Sequence, residues 1–105
     1  MFGDLMGQMK DKQKEIRDQL AKITVEAESG NGAVKVTANA KREILNISID
    51  KEAIEWEDVE QVEDLVMVAI NRVLALAAEK EKVETERIVQ SMLPPGLGDM
   101  SGLFK

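Results

Sequence analysis

From Asp58 to about Met92 the apolar residues recur at alternating spacings of three and four. Val59, Val62, Val66, Ala69, Val73, Leu76 and Val83 share one stripe, interrupted at Lys80, and no Gly or Pro occurs before Pro94. That period predicts a single α-helix of roughly 35 residues and ~50 Å. Leu65, Ile70, Leu74 and Ala77 widen the stripe over its first half. The first half is therefore expected to lie on a core and the second to project beyond it. A helix of this length is too long for a compact monomer of 105 residues, which points to a partner chain. Asp58 followed by Gln61 has the pattern of a capping box and marks the start.

Residues 4–22 predict a first helix with a thinner stripe, Met9, Ile16, Leu20 and Ile23, in which Gln13 occupies an apolar position. So narrow a face is stable only against another element, the long helix or a second copy. Period two then takes over. Ile23, Val25 and Ala27 alternate with polar residues, as do Val34, Val36, Ala38 and Ala40 after Gly30-Asn31-Gly32. Residues that tolerate positive φ between alternating runs predict a tight hairpin. A second turn near Ala40 to Arg42 leads to a third antiparallel strand, with Leu45, Ile47 and Ile49 on one face. Three strands leave two exposed edges, so sheet-to-sheet or edge-to-edge dimerisation is expected.

The chain divides into a first helix (1–22), a sheet (23–50), an acidic linker (51–57), a long helix (58–93) and a tail (94–105). The linker is expected to hold a turn of helix begun by Asp50, with Trp56 packing back on the long helix as a staple. The Gly- and Pro-rich tail is expected to be mobile, with Leu97, Met100, Leu103 and Phe104 available to a partner. The Met residues near both ends read as adaptable interface fillers.

The length fits one domain, and with only three aromatic residues its core must be aliphatic. Neither Cys nor His is present. Disulfides, zinc sites of the usual Cys/His type and nucleophilic or acid-base chemistry on those side chains are thereby excluded. The N-terminus lacks the apolar run of a signal peptide and no segment approaches a membrane span, so a cytosolic location is expected. Net charge is -6, but its distribution matters more than the sum. Residues 1–49 hold eight Lys/Arg against seven Asp/Glu, residues 50–64 one against eight, and residues 65–105 five of each. Nearly all the acidic excess thus lies in one segment, and overall acidity does not exclude an anionic partner.

Several stretches together resemble the YbaB/EbfC family of bacterial nucleoid-associated proteins. They are the Met-Phe-Gly start, the charged first helix, Gly32-x-Val34-x-Val36 and a strand ending Ile49-Asp50. Val62-Glu63-Asp64-Leu65-Val66 with Ala69 and Asn71, and the closing Leu93-Pro94-Pro95-Gly96, complete the set. The resemblance spans nearly the whole chain. It implies an α+β protein with an α-β-β-β-α protomer, a three-stranded antiparallel sheet and a long C-terminal helix. It also implies a homodimer with extended helical arms, double-stranded DNA binding with little sequence preference, and no enzymatic activity. Two positions depart from the family pattern. Ala40 stands where members usually carry Gly, and the linker lacks the Pro that often follows Asp50 while adding carboxylates.

The candidate DNA contacts are Lys10, Lys12, Lys14 and Arg17 on the first helix, where Lys10, Lys14 and Arg17 share one side. Lys41 and Arg42 at the second sheet turn are further candidates, with Lys35 behind them. The plainer reading of the helical cations is a solvated face. Arg72, Lys80, Lys82 and Arg87 are interleaved with Glu79, Glu81, Glu84 and Glu86, a solubilising or pairing pattern. Dimer contacts are expected from Val66, Ala69, Val73 and Leu76 on the long helix and from Leu45 and Ile47 on the third strand. Asn71, inside the apolar helix, reads as a residue that sets pairing register. The acidic run from Asp50 to Asp64 lacks the Gly turn of a calcium loop and reads as charge at a helix N-terminus; no metal and no cofactor are expected. The reading is a homodimer that binds duplex DNA mainly through phosphates and helps organise the nucleoid. The alternative is a dimeric protein-protein interaction module without DNA binding, supported by the net charge and the apolar tail.

Overall fold

The alternating runs form a meander and the long apolar stripe packs across it. The computed structural model describes residues 2–92, in the order α1 (Phe2–Ala21), β1 (Thr24–Ser29), β2 (Val34–Asn39), β3 (Ile44–Ile49) and α2 (Val59–Met92). This is the expected α-β-β-β-α order. The strands lie in the sequence β1-β2-β3 and both pairings are antiparallel. Gly30, Asn31 and Gly32 turn the first hairpin with φ of 61°, 56° and 91°, the left-handed region the sequence prepares for.

Registers Val25↔Ala38, Ala27↔Val36, Val36↔Ile47 and Val34↔Ile49 bring the apolar residues of the three strands onto one face. Between Thr37 and Ala38 the register shifts: Thr37 opposes Asn46, but Ala38 opposes Ile44, so Leu45 is the extra residue of a bulge. The simple alternation expected of Leu45, Ile47 and Ile49 is broken there.

α2 lies on β1 and β2. Ala69, Val73 and Ala77 are fully buried against Val34, Val36 and Ala38, with Val62, Leu65, Val66 and Ile70 packed around them. The Asp58 side chain caps the helix, its Oδ1 accepting from the Gln61 N–H at 3.2 Å. Two bonds tie the helix to the end of β1. The Ser29 hydroxyl donates to the Leu65 carbonyl, and Arg72 Nη1 donates to the Glu28 carbonyl at 2.8 Å. The turn is closely fitted to this joint. A Cβ on Gly30, at φ +61°, would stand 3.0 Å from a Leu65 methyl. Gly30→Ala is expected to cost ~1–3 kcal/mol from strain and crowding together, read as a lowered urea midpoint.

α1 is fastened at its C-terminal end. The Ala40 N–H is directed at the Leu20 and Ile23 carbonyls, at 3.2 and 2.9 Å. Leu20 is buried, α1 also touches α2, and Ile88 is buried in the part of α2 beyond the core. Leu5, Met6 and Met9, nearer the start of α1, are each more than half exposed. The molecule measures 63 × 31 × 17 Å with a radius of gyration of 19.3 Å. A compact chain of this length would have a radius of about 13 Å, so the difference reflects the helices.

The linker holds turns instead of the expected helical turn. Asp50 Oδ1 accepts from the Glu52 N–H at 3.1 Å, and Ile54 is buried as its anchor. Trp56 is 52% exposed and lies beside Val59 and Val62 at the start of α2. The tail residues Leu97, Met100, Leu103 and Phe104 lie outside the described residues.

Candidate nucleic-acid interface

Lys10, Lys12, Lys14 and Arg17 lie on α1 and all are exposed. None of them takes part in an ion pair among the described residues. Four cations elsewhere are paired with glutamates. Lys41 Nζ lies 3.8 Å from Glu43, and Arg42 Nε lies 3.3 Å from Glu81 on α2. Lys80 and Arg87 both hold Glu84, at 3.4 and 2.7 Å. Arg72 is occupied by the Glu28 carbonyl. Lys22, Lys35, Lys51 and Lys82 are likewise exposed and outside these ion pairs, but they are scattered, whereas α1 carries Lys10, Lys14 and Arg17 at helical spacing on one side.

The second sheet turn is built by Asn39, which is buried. Its Oδ1 accepts from the Lys41 and Glu43 N–H groups, both at 3.0 Å, and its Nδ2 donates to Glu43 at 2.7 Å. The positive φ this turn requires falls on Arg42, at 65°, while Ala40 stays outside that region and is wholly buried. This explains how Ala is accommodated where a Gly is usual. Because the Ala40 N–H reaches the end of α1, Lys41 and Arg42 emerge beside the base of that helix. Lys35 is exposed on the opposite, polar face of the sheet, paired with Glu28 and Ser48.

Glu84 is the one described carboxylate with a clear departure in acidity. The hydrogen bond from Arg87 lowers its pKa most; burial acts against this, and Lys80 adds to the lowering. A lowered folded-state pKa contributes stability above the ordinary glutamate value, lost as pH falls through the depressed one. Glu84→Gln is therefore expected to lower Tm at pH 7, with the gap to the wild type closing below about pH 4.

The residues expected at a dimer contact fall in three places. Ala69 and Val73 are at 0% exposure under the chain's own sheet and have no surface left for a partner. Leu45 and Ile47 on β3 remain 52% and 43% exposed, and Ile44 beside them is also uncovered. Val66 lines a groove of about 530 Å³ with Trp56, Val59, Val62, Met67 and Ile70, and Asn71 at its rim. Leu76 is on the other flank of α2, beside β1. α2 leaves β3 uncovered, and the groove lies on the flank of α2 away from β1. Met67 was missed from sequence because it sits off the main apolar stripe; the only signal was that it follows Val66 in an otherwise unbroken apolar run.

Among the described residues no helix is long and apolar enough to cross a membrane, and no cluster of carboxylates is arranged to hold a metal ion.

A model of the YbaB/EbfC DNA-binding family matches residues 1–92. A nucleoid-associated protein of Thermodesulfovibrio yellowstonii is 40% identical over 107 aligned positions, which cover 99% of this chain and 94% of its own. One of Moorella thermoacetica is 41% identical over 81 positions, covering 77% of this chain and 78% of its own. A crystal structure of an uncharacterized protein, HP0035 of Helicobacter pylori, superposes with a TM-score of 0.68 over 84% of this chain and 92% of that one. At 24% identity that similarity speaks for the fold alone.

Proposed function

The chain belongs to the YbaB/EbfC DNA-binding family of nucleoid-associated proteins, and from that premise we propose that it binds double-stranded DNA as a homodimer, mainly through phosphate contacts, in the nucleoid. The observation that carries this reading is the grouping of exposed cations along one side of α1. They are free of carboxylate mates among the described residues, whereas Lys41, Arg42, Lys80 and Arg87 are held by glutamates. Lys10, Lys14 and Arg17 are then the principal phosphate contacts, with Lys12 at the margin. Lys41 and Arg42 join them where a phosphate displaces Glu43 or Glu81. Contacts of these cations to phosphate would position a duplex without specifying its sequence.

The dimer follows from what the protomer leaves open. α2 lies on β1 and β2, so Ile44, Leu45 and Ile47 of β3 are left exposed, and the groove at Val66, Met67 and Ile70 presents further apolar surface on the flank of α2 away from β1. Such surface marks an interface, and a two-fold axis beside β3 lets each copy cover the other's. Asn71 at the groove rim then sits where a polar residue fixes register. Two protomers present two α1 cation strips to one duplex.

The test is fluorescence anisotropy of labelled duplexes of equal length, one A·T-rich and one G·C-rich, titrated with the protein at low salt. Saturable binding to both, with affinities within roughly tenfold of each other, is the expected result, since a single good base-reading pair alone discriminates by about 1–3 kcal/mol. A preference of several hundredfold for one duplex would overturn the phosphate-dominated reading.

A further inference from the structure

The flank of α2 beside β1 takes no part in the reading above. Three adjoining depressions of about 440, 380 and 380 Å³ run along it; the first two share Arg72, and the second and third share Leu76 and Glu79. They form one trough between the helix and β1. Its apolar lining includes Val25, Ala27, Leu76 and Val83, of which Leu76 is 47% and Val83 53% exposed. Its charged lining is Glu26, Asp58, Glu60, Asp64 and Glu79, against Arg72 and Lys80. Both cations are already engaged, Arg72 by the Glu28 carbonyl and Lys80 by Glu84. The trough is therefore apolar at its centre and negative at its rim.

Among the described residues β1 is also an edge strand, with β2 on one side and no strand on the other. Edges of this kind are usually blunted. Here the blunting is partial: Arg72 lies across the end of the strand at Glu28 and leaves Thr24 to Ala27 open. An open strand edge beside a helix-walled groove is the geometry in which an extended peptide adds as a further strand. Its backbone completes the ladder and alternate side chains enter the groove. Charge complementarity selects the occupant, since a rim of carboxylates with its cations engaged favours Lys or Arg.

We propose that the trough between α2 and β1 binds an extended segment of another protein in which apolar residues alternate with Lys or Arg, added as a strand to the Thr24–Ala27 edge. This site is independent of DNA binding and lies on a different flank of α2 from the groove assigned to the dimer.

The experiment is NMR titration of the isotope-labelled full chain with a soluble peptide of alternating Val and Lys, and with its counterpart of alternating Val and Glu. The expected result is saturable binding of the Val-Lys peptide alone, with shifts and slowed exchange at the Thr24–Ala27 amides and shifts at the Leu76 and Val83 methyls. Glu26→Lys combined with Glu79→Lys should weaken it by roughly tenfold or more without altering the remaining spectrum, and Leu76→Glu should weaken it independently. Shifts confined to the acidic linker, equal binding of the Val-Glu peptide, or no binding would overturn the proposal. So would protection of the Thr24–Ala27 amides that rises with protein concentration alone, which would show a second copy in the trough.

Discussion

Replacing Lys10 and Lys14 together by glutamate is expected to lower duplex affinity more than a thousandfold at about 0.1 M salt, with the dimer and the fold intact. The magnitude follows from counterion release. Each phosphate contact contributes ~0.9 to the salt slope, about eightfold in affinity at 0.1 M salt, and the double substitution removes four contacts per dimer. Repulsion by the new carboxylates adds to the loss. Both lysines are exposed and take part in no ion pair among the described residues, so folding has little reason to change. Retained affinity in a correctly folded dimer would remove these lysines from the interface. The same charge reversal at Lys82, an exposed residue among the glutamates of α2, is the control expected to have a much smaller effect.

The second large effect is expected from Ile47→Asp. Ile47 is 43% exposed in the protomer, so a carboxylate there stays solvated while the chain is alone. In the proposed dimer it becomes buried without a partner, which costs several kcal/mol and weakens association by at least about a thousandfold. Sedimentation should show a folded monomer at micromolar concentration. The consequence for DNA is specific: a monomer carries half the cations, so the salt slope should fall to about half that of the dimer. Asn46→Asp tests the assignment from the neighbouring position. Asn46 pairs with Thr37 on the polar face of the sheet, and its variant should remain dimeric. If Ile47→Asp also sediments as a dimer, the interface lies elsewhere.

What the sequence made legible was local and periodic. The cap at Asp58, the left-handed turn at Gly30 to Gly32 and the long stripe of α2 each depend on residues a few positions apart, and each is present. The misreadings concern relations between elements. Periodicity shows that Ala69 and Val73 face something apolar, but a helix stripe looks the same whether it meets a partner or its own sheet; here it meets Val34 and Val36. Likewise nothing in the run from Ile44 to Ile49 announces that α2 will stop short of β3 and leave Ile47 uncovered. The bulge at Leu45 is invisible to a strict alternation because one extra residue restores the pattern beyond it.

The cations show the same limit. Lys41 and Arg42 look as available as Lys10 and Lys14 in the sequence, yet Arg42 is met by Glu81 from a distant part of the chain. Only the fold separates cations held by a mate from those that are not. That separation shifts the weight of the proposed interface onto α1, away from the sheet turn.

If an intact dimer holds DNA through α1 cations against phosphate, its affinity must fall steeply with salt. The most direct measurement is the duplex dissociation constant across a range of salt concentrations, with the oligomeric state followed by sedimentation in the same buffers. If about three cations per protomer engage, the slope of log K against log salt should be about -5, carried by a dimer at every concentration. A slope near zero, or no binding at low salt by a normally sedimenting dimer, would contradict it.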